Sequence, residues 1–133
     1  MSGSGIVALA PVPVIYVAGE KGRPISEQAG AAFARLEAQM PTLKGRRFYG
    51  TFVDGVYRAC VAEQPGDETV VAERWTLPGG KYRRVRIADW ERHRDEIGPT
   101  VDALRARPDN DPTRPVIEFY RSQSELQILS PVK

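Results

Sequence analysis

Apolar positions along the chain fall into short runs whose period switches between two and about three and a half. Residues 14–18 (Val-Ile-Tyr-Val-Ala) are β-branched and aromatic and predict a buried strand. After a loop over 19–24, residues 25–40 set Ile25, Ala29, Ala32, Phe33, Leu36 and Met40 at helical spacing. Ser26 is the expected N-cap of that helix and Pro41 its stop. Residues 46–63 predict a hairpin around Asp54-Gly55, a dipeptide suited to positive φ in a tight turn. A connector over 64–68 leads to a strand over 69–77, a Pro-Gly-Gly turn, and a strand over 81–87. Residues 89–108 read as a helix, bent near Gly98-Pro99 because proline removes a backbone donor. A loop over 109–114 precedes a second hairpin, from Pro115 to Val132.

The two halves follow the same order. Residues 33–38 (FARLEA) align with 101–106 (VDALRA), and 48–55 (FYGTFVDG) with 119–126 (FYRSQSEL). The pattern predicts an α+β fold of two pseudo-repeated strand–helix–hairpin units, approximately 12–63 and 69–133, within one domain spanning 1–133. Antiparallel sheet would carry two helices on one side and a ligand cleft on the other, at the pseudo-twofold interface.

Composition narrows the function classes. A chain of 133 residues has room for one core. Its net charge of +2 provides no strong field for nucleic acid or anionic membrane. The single cysteine, Cys60, excludes an internal disulfide and suits a reducing compartment. With one histidine, His93, no Cys/His metal site is expected. The apolar stretch 6–19 lacks a basic flank, is interrupted by Pro11 and Pro13, and is too short to span a bilayer. These points predict a cytoplasmic protein without a membrane segment.

The sharpest chemical feature is a carboxylate inside an apolar strand, in Val116-Ile117-Glu118-Phe119-Tyr120. Alternation puts Val116, Glu118 and Tyr120 on one face and Ile117 and Phe119 on the other. Two readings are open: Glu118 projects into solvent, as most glutamates do, or it lines a cavity. In a cavity, desolvation disfavours the charged carboxylate unless a cation is supplied. A lipophilic cation would supply one and stack its rings on Tyr or Trp, each good ring adding roughly 0.5–2 kcal/mol.

Taken together, "RRFYGTF" with "YRACV", "LPGGKYRRVRI", a following Trp-bearing segment and the terminal "VIEFY" with "ELQILSPV" resemble the GyrI-like small-molecule-binding domain. That family includes the effector-binding domains of multidrug-responsive transcription activators. The resemblance runs from about Val14 to Val132. It implies a bacterial two-unit α+β domain whose concave face takes aromatic, often cationic, molecules, without a cofactor. The family's pocket glutamate falls on Glu118 and its neighbouring aromatic on Tyr120. Trp75, Tyr82, Trp90 and Tyr49 are further candidate ligand-binding walls. The longer first hairpin departs from the family pattern. No helix-turn-helix accompanies the domain, so a free-standing form is expected.

Three functions follow from the resemblance: binding of aromatic or cationic lipophilic ligands around Glu118; hydrolysis of xenobiotic or strained cyclopropane electrophiles, with Glu118 activating water; or a gyrase-type interaction with a protein. Hydrolysis goes better with a second group, and Glu63, Glu73 or a Tyr are the candidates, with Thr51 or Tyr49 expected to face Glu118 from the first hairpin. Cys60 lies among apolar strand neighbours and reads as core rather than nucleophile. The basic run 81–94 holds Lys81, Arg83, Arg84, Arg86, Arg92 and Arg94, with Tyr82 and Trp90 interleaved. Asp89 and Glu91 interrupt it, so a protein surface fits it better than nucleic acid.

Overall fold

The strand expected at 14–18 lengthens to seven residues and gains a preceding strand in the computed structural model, which describes residues 4–133. In chain order the elements are β1 (Ser4–Leu9), β2 (Val12–Ala18), α1 (Ile25–Ala38), β3 (Phe48–Val53) and β4 (Val56–Ala62). They continue with β5 (Glu73–Leu77), β6 (Gly80–Ala88), α2 (Ile97–Arg105), β7 (Ile117–Tyr120) and β8 (Glu125–Pro131). Pro11 falls in the β1–β2 connector, where no ladder donor is needed, so the apolar stretch divides into two strands. Among the described residues no helix is long and apolar enough to cross a membrane.

The chain divides into two compact units, a middle unit (12–77) and a terminal unit (1–11 with 78–133). In the middle unit the sheet order is β3-β4-β2-β5, antiparallel throughout. In the terminal unit it is β1-β6-β8-β7, again antiparallel. Each unit therefore has a central strand, a helix, a hairpin whose second strand pairs with the central one, and a fourth strand beyond. The α+β class and the repeated order are as expected. The fourth strands are exchanged between sequence halves: β1 pairs with β6, and β5 pairs with β2. At one return of the chain Gly79 lies against Pro11, where a Cβ would stand 2.7 Å from the proline ring and 2.8 Å from the Leu9 carbonyl oxygen. Only glycine fits there.

Helix α1 starts from Pro24, whose carbonyl accepts the amide of Gln28 at 3.0 Å, so Ser26 lies inside the helix rather than capping it. The hairpin turn is as expected, with Asp54 at φ 53° and Gly55 at φ 81°. Gln28 ties this turn to α1. Buried at 2% exposure, it donates to the carbonyls of Arg23 and Gly55 and accepts the Tyr57 amide. The strand expected over 69–77 begins only at Glu73. Gly66 (φ 99°) opens a 3₁₀ turn at Asp67–Thr69, whose Asp67 carboxylate is drawn into a buried bidentate pair with Arg46, at 3.0 and 2.6 Å.

The helix expected over 89–108 is also revised. Asp89, at φ 50°, ends β6, and two 3₁₀ turns, Trp90–Arg92 and Arg94–Glu96, precede α2. Pro99 occupies the first turn of α2, where amides have no helical partner, so it starts the helix instead of bending it.

Each helix covers one face of its own sheet. Leu36 and Ala32 of α1 pack on Ile15, Tyr57, Ala59 and Val61. Leu104 of α2 packs on Val85, Ile87, Val116, Leu126 and Ile128. Burying each such aliphatic side chain contributes about 1.5–3 kcal/mol. Cross-strand register fixes the faces. Phe48 lies opposite Val61, itself opposite Ile15; Glu118 lies opposite Ile128, itself opposite Val85. Phe48 and Glu118 therefore both lie on the helix-covered face of their own unit. The sequence pairing of Phe48 with Phe119 joins opposite faces, since Phe119 alternates with Glu118.

Candidate functional site

Glu118 lies on β7, the last strand in the terminal unit's sheet order. It shares the α2-covered face with Val116 and Tyr120, since those two belong to the core under α2. Helix α2 lies against the neighbouring strand β8, and Glu118 and Tyr120 are half-buried. The Tyr120 hydroxyl donates to Glu118 Oε1 at 2.7 Å. The phenol and the carboxylate, two residues apart on one strand, therefore act as a unit.

Trp90 joins them from the 3₁₀ turn after β6. Its ring meets Tyr120 edge to face, with centres 5.1 Å apart and planes at 69°. Its indole N–H donates to the Ser122 carbonyl at 3.0 Å, fixing it to the turn between β7 and β8. That turn is closed by Ser122 Oγ, which accepts the amides of Ser124 and Glu125. The guanidinium of Arg94 stands 5.5 Å from the Trp90 ring centre, so a cation already rests on this indole. Ser122 was not singled out from sequence, and a serine in a polar turn gives no signal of holding an indole.

The remaining expected residues lie elsewhere. Tyr82, fully buried on β6, projects to the face opposite Glu118 and hydrogen-bonds the Pro78 carbonyl through its hydroxyl. Arg114 covers its ring at 4.9 Å. Burial pushes the Tyr82 phenol above its ordinary pKa, against the pull of Arg114. Trp75 and Tyr49 belong to the middle unit and lie on its helix-free face. Tyr49 is buried, and desolvation raises its pKa against the opposing influence of Arg47. Trp75 packs edge to face on Tyr16, with Arg58 4.5 Å from its ring centre. In each unit part of the helix-free face is buried, through Val14, Thr51 and Cys60 in one and Tyr82, Ile117 and Leu129 in the other. The half-exposed carboxylate and aromatics of the terminal unit collect on its helix side.

The candidate second acids are in the middle unit: Glu63 pairs with Arg74 at 3.2 Å, and Glu73 is exposed. Burial pushes the Cys60 thiol up to about 12, which leaves it protonated and unreactive at neutral pH. His93 pairs with Glu96 at 2.7 Å on an exposed turn. Two of the six basic residues of the run have an acidic neighbour: Arg83 pairs with Asp109, and Arg86 lies 3.9 Å from Glu125.

No family model matches the chain, and no curated protein matches it. Solved structures do. An integron cassette protein from the mobile metagenome of Vibrio cholerae superposes with a TM-score of 0.76 at 15% identity, covering 98% of this chain and 96% of that one. The protein SAV2435, solved bound to tetraphenylphosphonium, gives 0.61 at 19% identity, over 99% and 94% of the two chains. A Staphylococcus aureus MU50 protein named for bacterial transcription regulation gives 0.60 at 16% identity, over 98% of both. The chain shares their fold, and that fold binds a small molecule in at least one of them.

Proposed function

We propose that this protein binds aromatic, lipophilic cations as a GyrI-like domain, with Glu118 as the counter-charge and Tyr120 and Trp90 as ring contacts. The reading is supported most by the Tyr120–Glu118 hydrogen bond beside Trp90, which joins a half-buried carboxylate to two aromatic rings. Tyr120 orients the carboxylate while the rings give a flat cation a surface to stack on. Tetraphenylphosphonium, the ligand of SAV2435, has the matching chemistry: a single positive charge enclosed by aromatic rings.

Calorimetric titration of the purified chain with tetraphenylphosphonium tests this. Saturable binding is expected, weakened at least tenfold in Glu118→Gln, about 1.4 kcal/mol. Equal affinity in the two proteins would overturn the reading. The same pair supports a second reading, hydrolysis of a strained ring, with the carboxylate accepting a proton from water and the phenol supplying one to the opened ring. A product heavier by one water, formed by wild type and absent with Glu118→Gln, separates hydrolysis from binding alone.

A further inference from the structure

The helix-free face of the middle unit holds a cation in the corner formed by two rings. Arg58 on β4 has its guanidinium carbon 4.7 Å from the Tyr16 ring centre and 4.5 Å from that of Trp75. The two rings meet edge to face at 6.1 Å and 72°. All three side chains are half-buried. Among the described residues no carboxylate lies within ion-pair distance of Arg58.

The terminal unit shows what a self-contained version looks like. On its own helix-free face Arg86 and Glu125 lie diagonally across β6 and β8, as Tyr16 and Arg58 do across β2 and β4. There the two positions make an ion pair at 3.9 Å, and Glu125 also meets Arg121 at 3.5 Å. In the middle unit the diagonal pair is an aromatic and a cation, so the guanidinium is positioned without a carboxylate partner among the described residues. Its cross-strand neighbour Thr51 is 1% exposed, and among the described residues the Thr51 hydroxyl has no hydrogen-bond partner.

We propose that Arg58, held by Tyr16 and Trp75, is a recognition site for the carboxylate of a small aromatic acid. A planar guanidinium takes a carboxylate through two parallel N–H···O bonds. Contact with two rings reduces the rotamer freedom that such binding would otherwise cost. The flanking rings give the ligand's own ring a surface. Glu73, exposed on β5 opposite Tyr16, adds a negative charge to this face and favours a monoanion over a doubly charged phosphate ester. The site uses different residues and the opposite charge from Glu118, so neither proposal depends on the other.

Nuclear magnetic resonance of the ¹⁵N-labelled full chain tests it through the Arg58 Nε–H and Trp75 indole N–H signals. Benzoate is the probe, with phenyl phosphate and the neutral amide benzamide as comparison arms. Both signals are expected to move saturably with benzoate, with a Kd of about 1 mM or tighter. Benzamide should leave them in place, and Arg58→Lys, which keeps the charge but loses the fork, should weaken binding at least tenfold. Equal shifts with benzamide, no saturable shift with benzoate, or unchanged affinity in Arg58→Lys would overturn the proposal. Tighter binding of phenyl phosphate would overturn the carboxylate assignment. The wild-type arms decide the matter by themselves if Arg58→Lys does not fold.

Discussion

The two units share strand order and a helix over one sheet face, yet they use the same faces for different purposes. Where β7 of the terminal unit brings Glu118 and Tyr120 to Trp90 on the helix side, β3 of the middle unit brings Phe48 there, edge to face on Phe33 at 6.3 Å. Where the terminal unit pairs Arg86 with Glu125, the middle unit holds Arg58 against Tyr16. The backbone tolerates either set. Fold is set by the alternating aliphatic positions under each helix, and chemistry by the few remaining positions on the same strands.

The largest effect that separates the units is expected at Asp67. Its pair with Arg46 is buried, with side chains 6% and 7% exposed, and the Arg46 Nε has no partner of its own. Asp67→Asn leaves a buried guanidinium without its counter-ion, which costs about 3–5 kcal/mol. Urea unfolding measures this, and each unit carries its own reporter, Trp75 in the middle and Trp90 in the terminal unit. A loss under about 1 kcal/mol would mean that water reaches Arg46.

Next in size are the helix residues at the centre of each core. Leu36→Ala and Leu104→Ala should each cost about 2–5 kcal/mol, the wide range reflecting how far a cavity collapses. Leu36 is wholly buried and Leu104 is 7% exposed, so the first should cost more. The reverse order, read from the same urea curves, would show that the core under α2 is the more tightly packed.

Leu36 was legible from helical spacing alone, as was the Asp54-Gly55 turn, because both signals are local. The exchange of β1 and β5 was not. It is a choice of pairing partner, and nothing within either strand states whether its neighbour lies in its own half of the sequence. Pro99 was misread because the same residue that bends a helix interior is welcome in its first turn. The carboxylate in "VIEFY" was noticed as a charge in an apolar strand; the guanidinium in "VYRACVA" carries the same signal and was passed over. Its partners Tyr16 and Trp75 lie on two other strands, and only the β4-β2-β5 order brings them together.

The smallest expected difference between the units is their response to acid. In the middle unit the Arg46 hydrogen bonds hold the Asp67 carboxyl below the usual carboxylate range. In the terminal unit the hydroxyl of Thr113, with its amide and Arg114, lowers Asp111 to about 2, through bonds of 2.6 and 2.9 Å from Thr113. A carboxylate with a depressed folded pKa contributes stability above its unfolded pKa of about 4, and that contribution is lost as pH falls through the folded value. For Asp111 the loss therefore falls between about pH 4 and about 2. Thr113→Val removes the hydroxyl donor, so Asp111 should titrate closer to an ordinary aspartate while Asp67 is unaffected. Carboxyl ¹³C shifts followed through acid would show both. An Asp111 that still titrates near 2 in Thr113→Val would mean that the residue-113 amide and Arg114, and not the hydroxyl, set its acidity.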